Sequence, residues 1–150
     1  MTSTAQHYSK TEMDLDDTRI INAMTVDVED YFHVGAFENT ISRDDWDQLP
    51  CRVERNTNRS LELFERYNIK ATFFVLGWVC ERYPALIRKI HELGHEVASH
   101  SIDHKRVSNL SRAEFVEDIT KSKKLLEDTI GVAVIGYRAP SFSIGQDNIW

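Results

Sequence analysis

The chain has 150 residues, with 24 acidic and 18 basic side chains and a net charge of -6 at neutral pH. That length supports one sizeable core rather than two. An acidic balance without any basic block argues against a nucleic-acid partner, and no apolar run approaches the roughly 20 residues of a membrane-spanning helix.

Residues 1–19, opening MTSTAQHYSKTEMDLDD, are polar and lack the basic and apolar regions of a secretory leader. A flexible tail is expected there. Residues 20–28 (IINAMTVDV) are apolar and β-branched, as in a buried strand. A carboxylate cluster closes the run, Asp27, Glu29 and Asp30, followed by Tyr31, Phe32 and His33. Residues 35–56 have turn formers and no period, and read as an elaborated loop. Leu61, Leu63 and Phe64 mark the inner face of a helix over 57–67.

A second strand is expected over 71–76 (ATFFVL), then one helix over 80–93 with Leu86, Ile87, Ile90 and Leu93 on a single stripe and Gly94 as its stop. A third strand, 96–98, runs into Ser99 and His100. Ser111 with Glu114 forms a capping box for a helix reaching about Thr129, with Phe115, Ile119, Leu125 and Leu126 as its apolar face and Gly131 at its end. Residues 132–137 make a fourth strand, and RAPSFS follows as a loop. Cys51 and Cys80 match no metal or redox spacing, which with the polar N-terminus gives a cytoplasmic expectation.

Strands alternating with helices imply an α/β domain whose parallel sheet is covered by helices. Functional groups in such folds gather beyond the carboxyl ends of the strands. Asp27, Glu29 and Asp30 follow the first strand, His100 and His104 the third, and Arg138 the fourth, so all three clusters fall on one rim. The i,i+4 spacing of His100 and His104 puts both rings on one side of a helical turn. Two imidazoles and one carboxylate suit zinc or a similar divalent ion, with a position left for water. A second carboxylate then acts as general base, and an arginine holds it in place. Backbone N–H groups of the loop over Pro140, Ser141 and Phe142, those of Ser141 and Phe142 since proline has none, are expected to meet the developing oxyanion. Trp78 and Phe142 are candidates for a sugar-binding cleft, or for packing. His33 lies near enough to the carboxylates to join the site. His95, before the third strand, belongs at the opposite end as a structural residue. Asp103 is either exposed or bonded to a ligand histidine.

The segments TVDVEDYFHV, ATFFVLGWV, GHEVASHSIDH and YRAPSFSI occur in that order. Together they resemble the polysaccharide deacetylase family, the metal-dependent carbohydrate esterases with NodB homology, over about residues 21–150. The form TVDVEDYFH is most similar to deacetylases encoded with bacterial exopolysaccharide and exosortase systems. The resemblance implies Asp27 as base, His100 and His104 as metal ligands, Arg138 as the group ordering the base, and the backbone after Pro140 in an oxyanion hole.

Common family members carry two adjacent aspartates, the second a metal ligand. This chain has Asp27-Val28-Glu29-Asp30, which leaves the third ligand open. Alternation puts Glu29 on the side of Asp27 and relatives with Asp-x-Asp favour it, whereas the shorter Asp30 reaches the ion if the chain turns there.

The implied fold is an irregular (β/α) barrel of the seven-stranded family type, with about four strands supplied here as the N-terminal part of the domain, residues 20–150. The family's later motifs find no match, and His33 is the local substitute for their general-acid histidine. The implied activity is metal-dependent hydrolysis of N-acetyl groups on amino sugars, with zinc as cofactor and an N-acetylated glycan as substrate. Hydrolysis of a small non-sugar amide, or a silent fragment that keeps metal or glycan binding, are the alternatives. A half-barrel exposes sheet edges and apolar faces that favour a homo-oligomer.

Overall fold

The computed structural model describes residues 22–149. The expected tail at 1–19 lies outside the described residues. Three parallel strands, β1 (Thr25–Val28), β2 (Thr72–Val75) and β3 (Glu96–Ser99), form a sheet in that order. Four helices accompany it: α1 (Val53–Arg66), α2 (Gly77–Arg82), α3 (Pro84–Glu92) and α4 (Arg112–Ile130). The sheet is open, as in part of the expected barrel. Among the described residues no helix is long and apolar enough to cross a membrane.

β2 is central. Phe73 and Val75 on one of its faces are fully buried, together with Leu76, Val79, Ile87 and Ile90 from the helices. Burying side chains of this size contributes about 1.5–3 kcal/mol each. Ala71 donates its N–H to His95 Nδ1 (3.2 Å), and the imidazole packs on Phe73, so His95 is structural at the amino end of the sheet, as expected.

Three elements depart from the sequence reading, each for a local reason. The helix expected over 80–93 is two helices, because Pro84 has no N–H to continue the first and restricts the residue before it. Tyr83 accordingly has φ -126° and ψ 51°. The first helix starts at Val53, not 57, because Asp30 caps it from outside: Asp30 Oδ2 accepts the N–H of Val53 (2.8 Å) and that of Arg52. The fourth strand reduces to a single parallel bridge between Ser99 and Tyr137. Its earlier backbone groups bond to α4 instead, with Val134 N–H on Glu127 Oε1 (2.9 Å) and Val134 C=O accepting from Lys123 Nζ (2.6 Å). Gly136 remains against β3, where an added Cβ would stand 2.9 Å from Ala98 Cβ.

Residues 31–48 form short 3-10 turns rather than a featureless loop. Asp30 opens the first of them in a reciprocal cap: its own N–H donates to His33 Nδ1 (2.8 Å). That bond requires the neutral tautomer with the proton on Nε2. The ring lies edge-on between Trp46 (4.5 Å) and Trp78 (4.7 Å) and against Phe32.

Burial pushes the His33 imidazole down to about 4, against the opposing pull of Glu29 and Asp30. An unfolded histidine titrates near 6.5, so the unfolded chain binds the extra proton first as pH falls. His33 therefore contributes stability that is complete above about pH 6.5 and is lost progressively toward pH 4, by about 3 kcal/mol at most. Urea unfolding of metal-free protein at pH 7.5 and pH 5 should show this decline. His33→Asn, which keeps an acceptor near the Nδ1 position, should make it shallower, with His95 and His100 leaving a residual decline, and an unchanged slope would refute the assignment.

Candidate metal centre and active-site cleft

Strand alternation sorts the residues of the first motif. Val28 points into the core, while Asp27 and Glu29 line an open cleft of about 570 Å³ at the carboxyl end of the sheet. His100, at the end of β3, and His104 enter the same cleft. Glu29 Oε2 lies 3.1 Å from His104 Nε2 and 3.8 Å from His100 Nε2. The three residues offer ligand atoms within 4.8 Å of one another. Ligands held about 2.0–2.1 Å from a tetrahedral ion stand about 3.3 Å apart, so these separations need little adjustment.

Two further observations fit a cation. Glu29 Oε2 is buried, and beyond its 3.1 Å approach to His104 Nε2 it has no well-aligned hydrogen bond among the described residues. A buried carboxylate oxygen facing two imidazoles is stabilised further when a cation meets it. Burial pushes the Glu29 carboxyl up, but the adjacent His104, with His100 and His33, outweighs it and holds the group below its ordinary value. His100 Nδ1 meets the carbonyl oxygen of Arg138 at 2.8 Å. A neutral imidazole donates from Nδ1 there, leaving the Nε2 lone pair for an ion. Burial pushes the His100 imidazole down, toward that neutral form.

The histidines do not share a helical turn. They sit on an irregular loop in which Ser101 (φ 68°) and His104 (φ 57°) are left-handed. The loop is tied to α2, since Gly77 and Trp78 donate their N–H groups to the carbonyls of Ser101 (2.9 Å) and Ile102 (3.0 Å). Gly77 permits that approach: a Cβ there would fall 2.5 Å from Ile102 Cδ1.

Beside the cluster, Arg138 Nη1 donates to Asp27 Oδ1 (2.5 Å) and Nη2 to Thr25 Oγ1 (2.8 Å). Its guanidinium lies 4.0 Å from the centre of the Phe74 ring. Asp27 Oδ2 has no hydrogen-bond partner among the described residues. The loop after Arg138 borders the cleft through Ala139, Ser141 and Phe142. Ser141 and Phe142 have φ of 54° and 53°, and the Phe142 ring is 99% exposed. Pro140 is buried and turns its carbonyl to Ser143, whose N–H donates to it (3.2 Å).

Several expected residues stand elsewhere. Asp30 turns away from the cleft to cap α1 and the first 3-10 turn, and does not join the metal cluster. His33 and Trp78 pack in the aromatic cluster with Phe32 and Trp46 and do not line the cleft. Asp103 pairs with Arg43 rather than a histidine. Cys51 and Cys80 are free thiols. The sequence reading missed Thr25 and Phe74, which brace Arg138, and Val34, Gly35 and Ala36, which form a cleft wall. Period-two alternation before Asp27 carried a signal for Thr25; nothing local marked the wall.

The description "Polysaccharide deacetylase" belongs to a family model that matches residues 44–149, well over half of the chain. The chain belongs to this family. It is 39% identical over 86 residues to the peptidoglycan-N-acetylglucosamine deacetylase PgdA of Listeria monocytogenes, covering 57% of this chain and 18% of that protein. A peptidoglycan-N-acetylglucosamine deacetylase of Bacillus cereus is 30% identical over 93 residues, covering 62% of this chain and 34% of the relative. The chain thus spans about a third or less of these relatives. A crystal structure of a putative polysaccharide deacetylase from Mycobacterium smegmatis superposes with TM-score 0.68 at 27% identity, over 83% of this chain and 44% of that one. The family match begins after Asp27 and Glu29, so geometry alone selects Glu29 over Asp30.

Isothermal titration with zinc should give one site per chain. Glu29→Ala should weaken it at least about 100-fold, beyond the 10–100-fold typical of groups that only support a ligand. Asp30→Ala should keep the site while losing about 1–3 kcal/mol of stability from the stranded N–H groups. The reverse pattern would assign the metal to Asp30.

Proposed function

We propose that this domain hydrolyses N-acetyl groups on amino sugars of a polysaccharide or its precursor, with zinc held by Glu29, His100 and His104. The reading rests on one observation: a three-residue ligand cluster and an arginine-braced carboxylate share a single open cleft. When bound, the ion supplies Lewis acidity toward the acetamide carbonyl and makes water a better nucleophile.

The chain's own residues do the rest. Asp27 takes the proton of the attacking water at Oδ2, while Arg138 fixes the carboxylate through Oδ1. Asp27 is the carboxylate of the described cleft outside the ligand set, so the proton it takes is available to return to the departing nitrogen. The oxyanion faces the backbone N–H groups of the loop after Pro140, an arrangement that acts only as charge develops. The bare Phe142 ring at the rim offers an apolar face for a sugar.

The glycan assignment is supported by relatives named for peptidoglycan N-acetylglucosamine. Within that class we favour the exopolysaccharide-associated branch, on the form TVDVEDYFH of the first motif, which departs from the adjacent-aspartate form. Exposed Val132, Ile135 and Ile144 supply apolar surface for self-association, readable as native mass in solution.

Acetate release from an N-acetylated chitooligosaccharide, measured with zinc-loaded protein, should fall by about 10²–10⁴-fold in Asp27→Asn, the range for loss of a general base. Zinc content should stay at the wild-type level. Undiminished turnover in that variant would sink the assignment of the base.

A further inference from the structure

The loop from Ser99 to His104 carries both imidazole ligands, and besides its backbone bonds to α2, β2 and residues 136–138 it is held from α4. Asp118 and Ser122 stand one helical turn apart, on one face of that helix. Asp118 Oδ1 accepts the N–H of Ile102 (3.2 Å), midway between the histidines. Ser122 is fully buried and its hydroxyl bonds that of Ser99. Ser99 Oγ in turn accepts the N–H of Ser101 (3.3 Å), and Ser101 Oγ accepts the N–H of His104 (3.0 Å). The two helix residues therefore reach both sides of the loop, one directly and one through a serine relay.

The loop needs such a hold. Ser101 and His104 are left-handed without being glycine, a backbone state that persists only where surrounding bonds over-determine it. Asp118 is also poorly explained as packing: its Oδ2 is buried with no hydrogen-bond partner among the described residues. Burial pushes its carboxyl up, with the Ile102 N–H pulling against that rise. A desolvated carboxyl whose one bond goes to the ligand loop is disfavoured by folding alone.

We infer that Asp118 is a positioning residue for the metal centre, acting with Ser122 through the Ile102 amide and the Ser99–Ser101 relay to set the approach of His100 and His104. This rests on the metal-centre reading above. Cobalt(II) is the probe, with its visible absorption reporting ligand geometry and titration reporting affinity. Wild-type chain should bind one cobalt. Asp118→Ala should raise the dissociation constant about 10–100-fold, as for other groups that orient a ligand, and alter the absorption band at a temperature where the variant is still folded. Asp118→Asn keeps the Oδ1 acceptor and should restore both readouts. Amide exchange in metal-free protein should show Ile102 N–H losing protection in Asp118→Ala and keeping it in Asp118→Asn.

Unchanged cobalt affinity and spectrum in Asp118→Ala would overturn the inference and leave the metal centre standing. If Asp118→Ala fails to fold, Ser122→Ala decides: weaker cobalt binding supports the relay, and wild-type binding overturns it. A wild-type chain that binds no cobalt would overturn the metal centre and this inference together.

Discussion

Arg138 joins three parts of the chain that are distant in sequence. Its guanidinium engages Asp27 and Thr25 on β1 and rests on Phe74 of β2. Its carbonyl meets His100 Nδ1, and its N–H donates to the carbonyl of Ser99 (2.9 Å) at the end of β3. One residue thus aligns the carboxylate proposed as base and fixes the tautomer of a ligand. It also anchors the segment after α4 where a regular fourth strand does not form. The site's two chemical halves share a cleft because this residue contacts both.

The same economy governs the carboxylates of the first motif. Asp27, Glu29 and Asp30 lie within four positions, yet each has a different task set by the direction its side chain takes. Asp27 meets a cation from the protein, and Glu29 presents a buried oxygen to two imidazoles. Asp30 leaves the strand direction and satisfies backbone N–H groups at the start of α1 and of a 3-10 turn. Each buried or half-buried charge is placed against a complementary group, as the cost of desolvation requires.

Much of this was legible in local pattern. The alternation of the first three strands with helices, the Ser111–Glu114 cap and the left-handed Gly131 ending α4 follow from periodicity and cap chemistry, and the structure has these. The shared rim of Asp27, Glu29, His100, His104 and Arg138 was equally readable, because parallel strands bring their carboxyl ends to one side. The misplacements were of another kind. Trp78 has a ring suited to a sugar cleft and His33 an imidazole suited to acid–base work, but both are the right size to fill the space beside Phe32 and Trp46, and burial claimed them. The 80–93 stripe ran unbroken through Pro84 because hydrophobic period is blind to a missing N–H.

Residue types and their spacing were enough to establish an α/β domain of the deacetylase kind and to nominate two histidines, a base and an arginine. They left Glu29 and Asp30 as rivals, since strand alternation favours Glu29 only if the strand runs straight through the motif, and a turn there would bring Asp30 round instead. The choice fell to the fold: Val53 begins α1 at a point where Asp30 is the acceptor in reach, and Glu29 alone stays on the side of the imidazoles. The ligand loop is the same case. Its histidine spacing is written in the chain, but its left-handed shape is held by bonds from α2 and from Asp118 and Ser122 of α4, and those exist only once the helices have packed beside β3.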